Sequence, residues 1–130
     1  MTDFITFGEI MLRLKSPAHE RFFQSPTLEA TFGGGEANVA VSLCNYGYDA
    51  AFVSALPDNA IGDAAIQELR KFGVQTDKII RQGERTGIYY LETGSNARPS
   101  NVIYDRAGSS ICDAQPGDFD WEDIFTDAKW

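Results

Sequence analysis

The sequence predicts an α/β fold with a parallel sheet in its core, and three features of the residue pattern support this. The chain opens on Phe4–Leu12, an apolar segment with little polar interruption, as is typical of a strand buried on both faces. Strand-like and helix-like segments then alternate, which is the order that βαβ units produce. Beyond residue 85, two strand-like segments follow each other without a helix, which predicts an added hairpin.

Two short strands and a glycine turn follow the opening strand. We expect the strands at Phe22–Gln24 and Leu28–Phe32, and the turn at Gly33–Gly35. The helix after the turn is apolar on nearly all sides, so we expect it to be buried against the sheet rather than exposed. Gly47 stands where the C-terminus of a helix favours glycine.

A second strand and helix repeat this order. Asp49–Leu56 reads as a strand, and Pro57-Asp58-Asn59 begins a second helix. The apolar residues of this helix fall on one face: Ile61, Ala65, Leu69 and Phe72. Strand, helix, strand and helix in this order imply a parallel sheet.

The predicted hairpin joins Thr86–Glu92 to Asn101–Arg106. Every second side chain of a strand shares a face, so Val102, Tyr104 and Arg106 point in one direction. A face that carries Tyr and Arg is typical of a binding surface. An exposed sheet edge protected by charge is the alternative interpretation.

The glycine turn is the candidate small-molecule site. Gly33–Gly35 run directly into the helix, and Asn38 lies in its first turn. Free N–H groups at a helix N-terminus bind hydroxyl, carboxylate or phosphate oxygens, and the Asn38 amide adds a donor and an acceptor. The same glycines also fit a plain turn that only permits the bend, so the residues alone leave both interpretations open.

Composition and charge limit the partners and the location. The chain of 130 residues is 43% hydrophobic and 23% charged, which is typical of a globular domain. Its net charge of -8 argues against a nucleic acid or an anionic membrane as partner. No apolar run approaches membrane-spanning length, and the N-terminus lacks the basic start of a signal peptide. With isolated Cys44 and Cys112 and one His, we expect no metal site and a cytoplasmic location.

The acidic residues near the C-terminus have an ordinary structural explanation. Asp120 precedes Trp121 at the start of a predicted helix, where a carboxylate caps free N–H groups and offsets the helix dipole. His19 lies in a polar, turn-like stretch without a nucleophile motif beside it. We therefore assign no catalytic residue in this chain.

Three of these features together resemble the PfkB (ribokinase-type) carbohydrate kinases: the Gly8-Glu9 pair, the Gly33–Asn38 turn and the inserted hairpin. Within that family, Gly8–Leu14 and Val102–Arg106 are most similar to the 2-keto-3-deoxygluconate kinases. The resemblance implies a three-layer helix-sheet-helix core, here partial, with a small β lid inserted into it. The lid would comprise residues of about 13–32 and 86–106, and it often forms a dimer interface, so we expect a homo-oligomer.

The resemblance also implies the substrate-binding residues. Gly34, Gly35 and Asn38 match the positions that bind the sugar hydroxyls, whereas a second group matches the positions that contact a keto-acid: Tyr89, Tyr104 and Arg106. A planar guanidinium suits a carboxylate, which a sugar acid has and a neutral hexose lacks.

Two features complicate the role of Arg106. Many relatives carry an aromatic residue where Asp105 stands. Arg106 could also pair with Asp105 or Glu92 of the hairpin and serve only to stabilise its edge.

The implied activity is ATP-dependent phosphorylation of a sugar or sugar acid, and 2-keto-3-deoxygluconate is the substrate that we predict. The implied cofactors are ATP and Mg²⁺. The alternatives are a fructokinase-like or ribokinase-like substrate, a dinucleotide-binding domain, or a binding domain without chemistry. The family's catalytic Asp lies in a C-terminal Gly-Ala-Gly-Asp motif, and no such motif occurs in residues 1–130. We therefore expect this chain to be the N-terminal portion of a kinase, without the ATP-binding and catalytic part, and inactive alone.

Overall fold

The computed structural model describes all residues from Met1 to Trp130. It contains eight strands and four α-helices, with one 3₁₀ turn at Pro116–Asp118. The strands are β1 (Phe4–Phe7), β2 (Met11–Lys15), β3 (Glu29–Gly33), β4 (Ala50–Val53), β5 (Ala55–Leu56), β6 (Ile80–Arg81), β7 (Ile88–Glu92) and β8 (Asn101–Asp105). The helices are α1 (Gly35–Asn45), α2 (Ala60–Lys71), α3 (Ser110–Asp113) and α4 (Trp121–Phe125).

The core is built on the parallel pair β1 and β4, which confirms the βαβ prediction. Alternate residues of β4 face opposite sides of this pair, so Phe52 packs towards α1 and α2, whereas Val53 packs towards the C-terminal segment. Ala40 of α1 and Leu69 of α2 belong to the first cluster, and Phe119 belongs to the second. The result is a helix-sheet-helix arrangement in three layers.

The opening segment is not one continuous strand as predicted. The chain leaves the core sheet at Gly8–Ile10, and β2 then joins a different sheet. The Gly8 N–H still donates to the Val53 carbonyl at 3.2 Å, whereas the Leu12 N–H donates to the Gly87 carbonyl at 2.9 Å. The largely apolar character of Phe4–Leu12 hides this change, because Ile10 and Met11, at the junction of the two sheets, are both buried.

The C-terminal residues of the chain pair with the outer edge of β1 near its start. The Ile5 N–H donates to the Trp130 carbonyl at 2.8 Å, and the Trp130 N–H donates to the Asp3 carbonyl at 3.1 Å. The Lys129 ammonium also contacts the Asp3 carboxylate at 2.6 Å. Residues 128–130 therefore run alongside β1 in the parallel direction.

A second sheet of four strands stands beside this core, in the order β3-β2-β7-β8. β2 pairs antiparallel with β3 and parallel with β7, while β7 and β8 form an antiparallel pair. The predicted hairpin and the strand at 28–32 are thus confirmed. The predicted strand at Phe22–Gln24 is wrong, because this segment forms turns and Phe23 has a φ of 58°.

α1, α2 and α4 begin where the sequence predicts, and α3 is an additional helix. The Asn59 side chain accepts hydrogen bonds from the Ile61 and Gly62 N–H groups and caps α2. The chain leaves α1 through Gly47, which has a φ of 90°. α1 packs on the core sheet through Ala37 and Ala40, which confirms the expected burial against a sheet, whereas its other side is open and Val39 is 50% exposed. No helix here has the length and apolar character that crossing a bilayer requires.

Candidate substrate-binding site

One face of the four-stranded sheet carries a row of polar and aromatic side chains. Residues that pair directly across neighbouring strands share a face. The register pairs Thr31 with Arg13, Arg13 with Tyr89, and Tyr89 with Tyr104. These four residues therefore cross the sheet side by side, and we call this the binding face.

A cavity of about 310 Å³ separates the binding face from the start of α1. Five of the six residues predicted to bind substrate line it: Gly34, Gly35, Asn38, Tyr89 and Tyr104. The remaining lining comes from β2, β7 and β8: Met11, Arg13, Leu91 and Val102. We call this space the sheet cavity.

A second cavity of about 460 Å³ adjoins the first, and Arg106 lines it. The two cavities share Met11, Gly35 and Tyr104. Its other charged lining residues are Glu9 and Glu36. All six predicted residues therefore line the sheet cavity or this adjoining one. We call the second cavity the Arg106 cavity.

The glycines before α1 differ in what they require. Gly34 has an extended backbone that any residue can adopt, but a Cβ there would lie 2.1 Å from the Glu9 carbonyl oxygen. A Cβ on Gly33 would lie 2.6 Å from the Tyr89 hydroxyl. A Cβ on Gly35 would meet nothing within 4 Å, because this glycine opens onto the cavities. The turn therefore packs closely against the Glu9 backbone at Gly34, whereas Gly35 is open to the cavities.

Asn38 extends the open side of the turn. Its backbone N–H donates to the Gly34 carbonyl at 2.8 Å, as the helix requires. Its side chain is exposed, lines the sheet cavity and makes no hydrogen bond within the chain. An amide in this state offers both a donor and an acceptor to a ligand hydroxyl.

Arg106 is held by a buried carboxylate. Its Nη2 lies 2.7 Å from Glu9 Oε1, and the Glu9 side chain is only 6% exposed. The Ser109 hydroxyl donates to Glu9 Oε2 at 2.8 Å. The Arg106 contact satisfies the distance of an ion pair but not the angle of a hydrogen bond, so we describe it as an ion pair. Glu9 therefore anchors one end of a guanidinium whose side chain is 48% exposed.

The alternative pairing of Arg106 within the hairpin is wrong. The Asp105 carboxylate accepts from Arg85 Nη2 at 3.1 Å, and the same nitrogen donates to the Asp105 carbonyl at 2.6 Å. Glu92 instead accepts a hydrogen bond from the Phe22 N–H at 2.8 Å. Asp105 and Glu92 thus have other partners, and Arg106 stays on the cavity side.

Two tyrosines form an aromatic pair on the binding face, and each lies near an arginine. The rings of Tyr89 and Tyr104 lie 6.1 Å apart, and the Arg106 guanidinium lies 5.9 Å from the centre of the Tyr104 ring. Burial raises the pKa of the Tyr89 hydroxyl; the positive charge of Arg13 opposes this rise and Tyr104 adds to it. Tyr89 therefore stays protonated at neutral pH and can donate a hydrogen bond.

Sequence reasoning missed Glu9 as a partner and Arg13 as a lining residue. Alternation along β2 puts Met11, Arg13 and Lys15 on one face, and this pattern could have identified Arg13. The prediction of a single core strand at Phe4–Leu12 hides this pattern, because β2 begins within that segment. The contact between Glu9 and Arg106 joins distant parts of the chain, so no local pattern signals it.

Comparison with known proteins identifies the family of the chain. The profile of the pfkB family carbohydrate kinases matches residues 1–128. The chain is 42% identical over 114 residues to a 2-dehydro-3-deoxygalactonokinase of Haloferax volcanii, covering 88% of this chain and 36% of that protein. It is 27% identical over 122 residues to a 2-dehydro-3-deoxygluconokinase of Bacillus subtilis, covering 90% and 38%.

A solved structure shows the same fold. The 2-dehydro-3-deoxygluconokinase of Thermotoga maritima matches with a TM-score of 0.97 and 55% identity, covering 100% of this chain and 40% of that chain. The chain thus spans less than half the length of these relatives. The predicted ribokinase-like fold is confirmed, and the chain belongs to the pfkB family of carbohydrate kinases.

Proposed function

We propose that the full-length protein phosphorylates a sugar acid with ATP, and that the acid is 2-keto-3-deoxygluconate (2-dehydro-3-deoxygluconate) or a close isomer. The observation that carries the proposal is the anchored Arg106 guanidinium, which opens onto a cavity opposite the glycine turn of α1. Relatives named for phosphorylation of 2-dehydro-3-deoxy sugar acids support this substrate class.

Five of the six predicted residues have a proposed role in binding the acid. Gly34, Gly35 and Asn38 would hold the hydroxyls through backbone N–H groups and the side-chain amide. Arg106 has five N–H donors, and its one contact with Glu9 is made at Nη2, so N–H groups remain that can bind a carboxylate. Tyr89 would donate a hydrogen bond from the binding face. Fixing the acid in this way would present its primary hydroxyl for in-line transfer of the γ-phosphoryl group.

ATP and Mg²⁺ are the implied cofactors, and the residues described here do not fit them. The Arg106 cavity has two carboxylates, Glu9 and Glu36, and one guanidinium, and this net negative lining opposes a triphosphate. No three His, Cys, Asp or Glu side chains lie together as a metal site within residues 1–130. We therefore assign neither cofactor, nor a catalytic base, to any residue of this chain.

We propose that residues of about 13–32 and 86–106 act as a lid over the substrate. They supply the four-stranded sheet, whose binding face covers the sheet cavity. The opposite face of this sheet carries an apolar patch of four residues, Phe22, Phe23, Tyr90 and Ile103. We propose that a second copy of the chain covers this patch. A cytoplasmic location would fit the free thiols of Cys44 and Cys112.

A neutral sugar, as in a fructokinase-like or ribokinase-like enzyme, is the second candidate. The observation that favours it is the Glu9 carboxylate, because it offsets the charge of Arg106. The substitution Arg106→Ala in the full-length protein distinguishes the two. For a sugar acid it removes a charge-assisted contact of about 1.5–3 kcal/mol, so kcat/KM falls about 10- to 100-fold. Arg106→Lys restores part of this loss, since an ammonium cannot bind a carboxylate with two parallel hydrogen bonds.

A neutral hexose should lose much less activity than the acid in both variants. Arg85→Ala is the matched control, because Arg85 lies near the same hairpin and does not line either cavity. Initial rates of ADP release with both substrates provide the measurement. Equal losses for acid and neutral sugar in Arg106→Ala would contradict the carboxylate role and favour the neutral-sugar kinase.

A further inference from the structure

The two guanidiniums at the cavities differ in their charge partners. Arg106 is paired with Glu9, as described above. Arg13 is half-buried in β2 and forms no ion pair within residues 1–130. Its one polar contact is a long one, from Nη1 to the Thr31 hydroxyl at 3.4 Å. The uncompensated positive charge on the binding face is therefore that of Arg13.

The position of Arg13 directs this charge into the sheet cavity. Arg13 lines the cavity and pairs in register with Tyr89. Its positive charge opposes the rise that burial causes in the pKa of Tyr89. Arg106 follows β8, two strands away, which corresponds to roughly 10 Å across a sheet. The two guanidiniums therefore belong to different cavities, Arg13 to the sheet cavity and Arg106 to the Arg106 cavity.

The charges that line the two cavities balance only because of Arg13. Arg13 and Arg106 are the cations, and Glu9 and Glu36 are the anions. Without Arg13 the lining would be net negative, in a chain whose net charge is already -8. A cavity with a net negative lining repels an anionic substrate, and this repulsion is stronger where side chains exclude water.

We propose that Arg13 is a specificity-determining residue that gives the cavity its preference for an anionic sugar over a neutral one. Arg106, paired with Glu9, supplies geometry for a carboxylate, and Arg13 supplies a positive charge that has no ion-pair partner and attracts it. The proposal rests on the proposed function, because it concerns the substrate of the same site. A merely structural role, in which the stem of Arg13 packs on the sheet, predicts a different result.

The experiment compares three variants of the full-length protein. Arg13→Met keeps the length and apolar character of the stem and removes the charge, whereas Arg13→Lys keeps the charge. Lys15→Met is the matched control, because Lys15 lies two residues away on the same face of β2, pairs with Glu29 and lines neither cavity. For each variant, kcat and KM are measured with a sugar acid and a neutral sugar. Binding of gluconate and glucose is measured separately by calorimetry.

We expect Arg13→Met to raise KM and Kd for the acid about tenfold or more while kcat changes little, because a lost ground-state contact weakens binding. For the neutral sugar these constants should change less than about twofold. Arg13→Lys should retain most of the preference, and Lys15→Met should retain all of it. The dependence of acid binding on salt should also become weaker in Arg13→Met, because screening acts on the charge that was removed.

Equal losses for acid and neutral sugar in Arg13→Met would overturn the proposal, and so would unchanged binding of the acid. If Arg13→Met fails to fold, Arg13→Gln replaces it as a second uncharged variant; if both fail to fold, Arg13 is structural and the proposal is wrong. The proposed function fails separately: a wild-type protein that binds gluconate through Arg13 but phosphorylates no sugar would contradict the kinase and leave this inference intact.

Discussion

At the scale of single residues, Tyr89 reports the electrostatics of the binding face. It lies between Arg13 and Tyr104 in the cross-strand row. Burial raises the pKa of its hydroxyl because a phenolate loses its hydration, and the nearby Arg13 charge moderates that rise. A measurement of the Tyr89 pKa would therefore test whether the Arg13 guanidinium faces Tyr89, and it requires no substrate.

Replacing Arg13 with Met should raise the pKa of Tyr89 further above its ordinary value of 10.0, because only burial and Tyr104 then act on it. A raised pKa means that the folded state retains the proton more tightly than the unfolded state. The contribution of protonated Tyr89 to the free energy of unfolding is therefore complete below pH 10.0. It is lost as the pH rises above 10.0, and the loss is larger in the variant. NMR titration of labelled tyrosine, assigned with Tyr89→Phe, measures the pKa. A pKa that falls or does not move would show that the Arg13 charge does not face Tyr89.

At the scale of elements, the junction between Gly8–Ile10 and the start of α1 joins the core to the four-stranded sheet. Gly34 packs against the Glu9 backbone, and Glu9 in turn reaches Arg106 and Ser109. Gly87 also belongs to this junction, because a Cβ there would lie 2.5 Å from Glu9 Oε2. The positions of the cavities thus depend on close backbone contacts that larger side chains would disrupt.

Gly34→Ala and Gly35→Ala should have opposite effects on stability. The Cβ at Gly34 collides with the fixed Glu9 carbonyl, and overpacking of this kind costs about 1–3 kcal/mol or more. The Cβ at Gly35 enters open space at the first residue of α1, where Ala is a better helix former than Gly. Urea unfolding of the two full-length variants measures the difference. Equal destabilisation would contradict the close approach of Gly34 to the Glu9 backbone.

The order of elements could be predicted from the sequence because it depends on local periodicity. Apolar spacing in α2 and the two strands of the hairpin follow from residues that are close along the chain. The error at Phe22–Gln24 arose because aromatic residues favour strands in general, although this segment has no partner strand. The ion pair of Glu9 with Arg106 depends on how the two sheets are placed, and local spacing carries no information about that placement.

At the scale of the whole molecule, the four-stranded sheet has two unlike faces. The binding face is polar and meets the cavities, whereas the opposite face carries the apolar patch of Phe22, Phe23, Tyr90 and Ile103. Phe23 is 73% exposed and Ile103 is 49% exposed. All of β8 is exposed, and its outer edge is unpaired within the chain. An apolar face beside an open strand edge is a surface that a partner commonly covers.

We expect the full-length protein to form a homo-oligomer through this patch, and Ile103→Lys should weaken it. A lysine at Ile103 would place a charge in the apolar interface, where desolvation makes it costly. Val102→Lys is the matched control, because it adds the same charge to the same strand on the binding face. Sedimentation over a range of protein concentrations should show dissociation at higher concentration for Ile103→Lys than for the wild type or Val102→Lys. A wild-type protein that stays monomeric at every concentration would contradict the interface, as would equal dissociation of both variants.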